Sequence, residues 1–365
     1  MTSSPFSASV TPDWRGLLRC IRREGTPSRV HYIELFLDRE VEEEICRRYG
    51  VLDGLDRSDP HFSLRRMIAI QRFLGYDYVR YGAEGLDMPL KRTVTADTAA
   101  LERQGGRSYM EEHAGPITSW EGFESYPWPD PGAASTSGLE WLSENLPEDM
   151  CIIGGGGFGH FAELLTWLMG YETLCYALYD KRELVKALSD RLMDTYRVVM
   201  QVILQFDRVK ATWGSDDMGF KTGPLISPQD MREFVLPGHK LMAQMSHDAG
   251  RPYLLHSCGD LSTIMGDLIN DVQIDARHSF EDVIEPVTVA KQRYGHRIAL
   301  LGGIDVNFLC HATESEVRRR VRETLELCMA GGGYCLGSGN SVANYIPVDN
   351  YLAMLDEGRR FKVQA

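Results

Sequence analysis

The chain has no CxxC pair, no basic surplus and no long hydrophobic run, and each absence removes a class of protein. Eight cysteines (20, 46, 151, 175, 258, 310, 328 and 335) are scattered without a framework spacing. In 365 residues that pattern reads as buried thiols in a reducing cytoplasm, not as a disulfide scaffold. No stretch approaches the roughly 18 uninterrupted apolar residues of a membrane span. The opening MTSSPFSASVTPDW carries neither a basic n-region nor an apolar h-region. It reads as a loose leader, not a signal peptide, and the expected location is cytoplasmic. Lys and Arg number 39 against 52 Asp and Glu, a formal charge of −13, which disfavours nucleic acid and anionic membrane as partners. What is present is ordinary for a soluble domain: 43% hydrophobic and 25% charged residues, enough for a sizeable core. The length suits one large barrel or two modest domains.

Short apolar runs bounded by Gly, Asp or Pro recur at 29–35, 76–82, 150–156, 208–214, 251–257, 272–278, 297–303 and 332–338. Amphipathic helical stretches alternate with them, among them 182–205, 227–250 and 314–333. Ser227 is a natural N-cap and Pro228 suits the first helical position. Strand alternating with helix implies a parallel sheet with right-handed crossovers. Eight units predict an α/β fold, a closed (β/α)8 TIM barrel over 29–365 behind a leader or helix over 1–28. The polar stretch 83–148 is too long for a connection. It reads as an insertion after the second strand, packed by Trp120, Phe123, Tyr126 and Trp128 and covering the C-terminal face as a lid.

Chemistry in such barrels sits at the C-terminal ends of the strands. Those ends deliver Glu34, Arg80, Tyr81, His160, Asp216, Asp217, His256, Cys258, His278, Asp305 and Asn340. The glycine run GGGGFGH (154–160) fits no nucleotide motif and reads as a place of close backbone approach. In LLHSCGD (254–260), His256 and Cys258 stand two apart on a strand and face the same way. They are either half of a metal site or a hydrogen-bonded histidine beside a buried thiol. A catalytic zinc needs three protein ligands, and by type Cys335 and His278 are the candidates for the third.

WGSDDMGFKTGPLISPQDMREFVLP (213–237), LLHSCGD (254–260), LLGGID (300–305) and GGYCLGSGNSVANYIPVDNYLAML (332–355) together resemble the uroporphyrinogen decarboxylase superfamily, and within it the branch of corrinoid-dependent methyltransferases. The resemblance implies a (β/α)8 barrel. The RQAGRY-type motif of true uroporphyrinogen decarboxylases has no counterpart, since the first strand gives YIELFLDRE; porphyrin decarboxylation is therefore disfavoured. The zinc branch carries His-x-Cys after the fifth strand and a further Cys after the eighth. His256 and Cys258 match the first part, while Asn340 stands where the second is expected. Cys335 then serves by a local shift, or the ligands have changed, or no metal binds.

The resemblance implies zinc on His256, Cys258 and Cys335, with Asp216, Asp217 and His278 in catalysis. Arg80, Tyr81, His160, Asp305 and Asn340 would bind substrate. The implied reaction moves a methyl group between a small methoxy or methylthiol compound and a cobamide. No D-x-H-x-x-G signature occurs, so the cobamide would come on a partner corrinoid protein or free in solution. Two alternatives stand beside this reading. One is a metal-free decarboxylase or lyase using Asp217, His278 and Arg80. The other is a non-catalytic corrinoid- or tetrapyrrole-binding barrel. The expected assembly is a monomer or homodimer.

Overall fold

The computed structural model describes residues 4–155 and 158–363. Seven parallel strands run around a curled sheet in sequence order: β1 (Tyr78–Tyr81), β2 (Cys151–Gly154), β3 (Val209–Ser215), β4 (Tyr253–His256), β5 (Ala276–His278), β6 (Ala299–Leu301) and β7 (Tyr334–Cys335). Every residue of β2, β4, β5, β6 and β7 is buried. That is why these strands read as continuous apolar runs, since a sheet covered on both faces needs no polar alternation. The fold is the expected (β/α)8 TIM barrel.

The run at 29–35 takes its place in the ring through one parallel bridge, Tyr32 to Leu336. The Ile33 N–H donates to the Leu336 carbonyl at 2.9 Å and the Leu336 N–H to the His31 carbonyl at 2.8 Å. Between this segment and β1 the closure is made by side chains, with Asp77, just before β1, pairing with Arg29 and, at 2.7 Å, with the buried His31. The Tyr78 hydroxyl accepts from the Glu34 N–H and donates to the Glu34 carbonyl, both at 2.9 Å.

Around the sheet lie the expected helices, with one interruption. Ser227 caps the Asp230 N–H at 3.1 Å, and the helix begins at Pro228. Pro237 has no N–H to offer the carbonyl of Glu233. The ladder slips accordingly: Met231–Val235 is a π-turn in which the Leu236 N–H reaches back to the Met231 carbonyl, before the α-helix resumes at Leu236–Asp248. Such bulges are the usual answer to a break in the i to i−4 pattern. Among the described residues no helix is long and apolar enough to cross a membrane.

The N-terminal segment is packed against the barrel. Asp13 caps the helix Trp14–Ile21, which buries Leu17, Leu18, Cys20 and Ile21 and takes the Gly333 N–H on the Cys20 carbonyl at 2.8 Å. It thereby closes the N-terminal end of the ring beside β7.

The 83–148 stretch forms an antiparallel hairpin (Arg92–Thr95 with Arg107–Met110) and two helices, Trp120–Ser125 and Ser137–Asn145. Asp97 anchors the hairpin, accepting from Arg107 Nε at 2.9 Å, the Arg103 N–H at 2.7 Å and Asn344 Nδ2 at 2.6 Å. Arg103 reaches Asp38 at 2.9 Å and Glu40 at 3.1 Å. Asp38 and Asn344 belong to the loops after the first and eighth strands, so the hairpin is fastened to the C-terminal rim. Phe123, Tyr126 and Trp128 pack edge to face, while Trp120 stays half exposed.

Candidate metal centre

β4 ends at His256, and the chain then turns through Gly259. Its φ of +90° is open to glycine, and a Cβ there would strike the carbonyl of Gly219. This close approach seats Cys258 beside the loop after β3, where Asp217 Oδ1 accepts the Cys258 N–H at 2.9 Å. Asp217 Oδ1 lies 3.2 Å from His256 Nε2, and Cys258 Sγ lies 3.5 Å from the same nitrogen. One ligand atom from each of Asp217, His256 and Cys258 falls within 4.8 Å of the others.

Zinc bonds of about 2.0–2.3 Å in a tetrahedron put neighbouring ligand atoms about 3.3–3.6 Å apart. Two edges of this triangle already have about that length. The oxygen, nitrogen and sulfur donors are a set that zinc accepts, so the residues present fit such an ion.

The surroundings prepare the donors. His256 Nδ1 faces His278 Nδ1 at 2.7 Å, so one nitrogen must carry a proton and the other a lone pair. Burial first, then the nearby His256 and Arg80, hold His278 well below the ordinary histidine range, and it is neutral. The tautomer that leaves Nε2 of His256 free for a ligand has Nδ1–H donating to His278, the usual support of a ligating imidazole. Burial works against the Asp217 carboxylate, but His256 and the Cys258 N–H outweigh it and hold the group well below the usual carboxylate range. Burial and the adjacent Asp217 push the Cys258 thiol up, opposed by Ser279 and Asn340. Asn340 Nδ2 donates to Cys258 Sγ at 3.0 Å, and Ser279 Oγ lies 3.8 Å away.

Not every strand-end group joins this cluster. Neighbouring side chains at a strand end point to opposite faces, and Asp216 turns away from Asp217. It is fully buried, accepting the Ala162 and Glu163 N–H groups at 2.8 and 2.9 Å and facing His239 Nε2 at 2.9 Å. It thus caps the helix Phe161–Met169.

Cys335, expected as third ligand, stands fully buried inside β7, next to Tyr334, whose carbonyl accepts from the Cys20 thiol at 3.2 Å. Its sulfur is not part of the cluster of Asp217, His256 and Cys258, and the loop residue Asn340 lies against the Cys258 sulfur. His278 contacts His256 but contributes no atom to the triangle.

Of the remaining groups, His160 pairs with Glu163 at 2.6 Å, and the Tyr81 hydroxyl donates to Glu84. Arg80 lies under the site against the Trp213 ring at 5.3 Å, one N–H on the Leu35 carbonyl at 3.2 Å; burial lowers its pKa to about 10. Asp305 accepts the Phe308 and Asp282 N–H groups, both at 2.9 Å. Glu34 is buried on Ser338, and burial raises its pKa to about 8. Within the glycine run 154–160, Gly156 and Gly157 lie outside the described residues. Ser279 and His239 were not expected from the sequence; each is a lone polar residue whose role appears only in three dimensions.

A parallel eight-unit barrel with a His-x-Cys pair on its C-terminal rim is the class that fold and site define. The family model of uroporphyrinogen decarboxylase (URO-D) matches residues 100–361, well over half the chain, and the protein belongs to that family. A methylated-thiol–coenzyme M methyltransferase of Methanosarcina mazei is 31% identical over 157 residues, which is 41% of this chain and 40% of that relative. The match therefore spans about two-fifths of the relative's length. A methyltransferase of solved structure from Methanosarcina mazei superposes with a TM-score of 0.67 over 95% of this chain and 98% of that one, at 16% identity. That likeness extends the shared fold to nearly the whole chain.

Proposed function

We propose that the protein is a methyltransferase that moves a methyl group between a small methoxy or methylthiol compound and a cobamide, with zinc held by Asp217, His256 and Cys258. The observation that carries this reading is the triangle of oxygen, nitrogen and sulfur at zinc-like spacing on the C-terminal rim. The similarity to a methylated-thiol methyltransferase supports it. The ion, when bound, would supply Lewis acidity, lowering the proton affinity of a thiol or polarising an ether oxygen.

The rest falls to the chain. His278 accepts from His256 Nδ1 and fixes the ring with Nε2 towards the triangle. Asn340 donates to the Cys258 sulfur and favours its thiolate. Asp217, anionic and anchored on the Cys258 N–H, brings negative charge to the cluster. Asp216 serves as a positioning residue, tying the end of β3 to the start of the helix Phe161–Met169 that follows β2. Asp305 and Asn340 line a cavity of about 880 Å³ beside the centre, which gives substrate its approach. Arg80, Tyr81 and His160 hold the surrounding backbone and side chains. A cobamide would be brought by a corrinoid protein or from solution.

The test is zinc content of untagged protein, alongside His256→Ala, Cys258→Ala and Asp217→Ala. It is followed by the absorbance change of methylcobalamin incubated with small thiols. About one zinc per chain, lost in the His256 and Cys258 variants, with thiol-dependent demethylation of the cobamide, supports the reading. Folded wild-type protein that takes up no zinc refutes it.

A further inference from the structure

We infer that the proposed centre selects methyl carriers by charge, favouring a cationic thiol over a neutral one and disfavouring an anionic one. The inference rests on the proposed zinc site. Its ground is the cavity of about 880 Å³ that Asn340 shares with that site, since Asn340 both lines the cavity and donates to Cys258 Sγ at 3.0 Å. A volume of this size is typical of small-molecule sites, so a ligand on the triangle extends its tail into this space.

Four carboxylates lie on the cavity wall, from Glu281, Asp282, Asp305 and Glu316, against the ammonium of Lys221. Asp282 is offset by Arg320 at 2.6 Å. Asp305 is satisfied by two backbone N–H groups, which complete its hydrogen bonds but leave its charge. Glu316 is bonded by the Thr313 hydroxyl and N–H at the start of its helix, again without neutralisation. Glu281 has no side-chain partner among the described residues. His311 gives its Nδ1–H to the Asn307 carbonyl at 2.9 Å. Four negative groups against two positive ones leave the wall acidic. Lys221, the only cation lining it among the described residues, is exposed on the turn between the short strands Gly219–Phe220 and Gly223–Pro224.

A sulfonate or phosphate tail would enter an unfavourable field here, whereas an ammonium tail would meet Glu281 and Asp305. Such wall charges act over several ångströms and are weakened by salt. Discrimination should therefore be moderate and dependent on ionic strength.

The experiment is calorimetric titration of the zinc-loaded full chain with three thiols of one skeleton, 2-aminoethanethiol, 2-mercaptoethanol and 2-mercaptoethanesulfonate. It is repeated with Glu281→Gln and at high salt. Because the three thiols differ in intrinsic acidity, the readout is the change in their spread between wild type and variant. We expect the ammonium compound to bind about tenfold tighter than the hydroxyl one and the sulfonate about tenfold weaker. Glu281→Gln should narrow the total spread about threefold, and salt should narrow it further. Zinc-dependent binding with a flat order, a sulfonate-first order, or a spread unmoved by Glu281→Gln overturns the charge assignment and leaves the metal reading intact. Absence of zinc-dependent binding by all three overturns both.

Discussion

Asp216 and Asp217 are neighbours with opposed surroundings, and exchanging each carboxylate for an amide separates them. Asn at 216 keeps the shape but brings an NH2 group against the N–H donors of Ala162 and Glu163. At least one charge-assisted bond is lost, worth about 1.5–3 kcal/mol. The favourable negative charge at the helix N-terminus is lost as well, worth roughly 0.3–1 kcal/mol and up to about 2 where buried. Asp216→Asn should therefore lower stability by about 2–4 kcal/mol, while its zinc stoichiometry stays at the wild-type value. Asp217 is 44% exposed and caps no helix. Asp217→Asn keeps a side-chain oxygen for the Cys258 N–H, so it should cost less stability than Asp216→Asn, about 1–2 kcal/mol for the lost charge beside His256, and weaken zinc binding at least tenfold. Urea denaturation must be run with a chelator, because zinc bound to the folded state alone would add stability by mass action. Metal affinity is read separately by competition with a chromophoric chelator. The reasoning fails if Asp216→Asn lowers zinc affinity as much as Asp217→Asn does, or if Asp217→Asn is the variant that unfolds early.

Glu34→Gln tests a buried acid. A folded pKa of about 8 lies above the unfolded value of about 4.3. The folded state thus binds the extra proton between these limits, and this group makes stability fall as pH rises from about 4.5 to 8, by at most about 1.4 kcal/mol per unit. Glutamine can accept the Ser338 N–H and donate to its hydroxyl, so the variant should show a flatter pH profile and match or exceed wild type at pH 8; an unchanged slope in urea titrations refutes this. Gly337→Ala should destabilise by about 3 kcal/mol, the top of the overpacking range, because its Cβ would strike the Ile33 carbonyl; a wild-type thermal midpoint counts against the packing described. Asn340→Ala should weaken zinc binding about 10–100-fold, as loss of a ligand's supporting donor does. Cys335→Ser should leave zinc binding unchanged and cost only stability, and the same chelator competition reads both.

Much of the barrel was legible because parallel strands covered on both faces leave unbroken apolar runs between glycines. The first strand was harder, since only Tyr32 bridges to Leu336 and the rest of that run is held by side chains. His256 and Cys258 were legible as a pair because strand periodicity puts them on one face. Which of Asp216 and Asp217 faces inward was not, since one residue of register at the end of β3 reverses the answer. Cys335 has a plausible separation from Cys258, but its depth in the ring is fixed by pairing with β6 and by Cys20, neither of which composition reveals. The anchoring of the hairpin is invisible for a similar reason, as Asp97 and Asn344 stand 247 residues apart in sequence.

The one place where the ring is joined by side chains has a dynamic consequence. A closed barrel ordinarily leaves no strand edge free, yet the line between the first segment and β1 carries side chains, namely the Tyr78 hydroxyl, an Arg80 N–H and Asp77 paired with His31 and Arg29, where the joints from β1 to β7 carry backbone ladders. Opening along that line breaks few main-chain bonds. Amide protons of β1 that face this line should therefore exchange with solvent faster than those of β3, which is laddered on both sides. Arg80, reaching across to the Leu35 carbonyl while lying on Trp213 of β3, is the clasp that limits the motion.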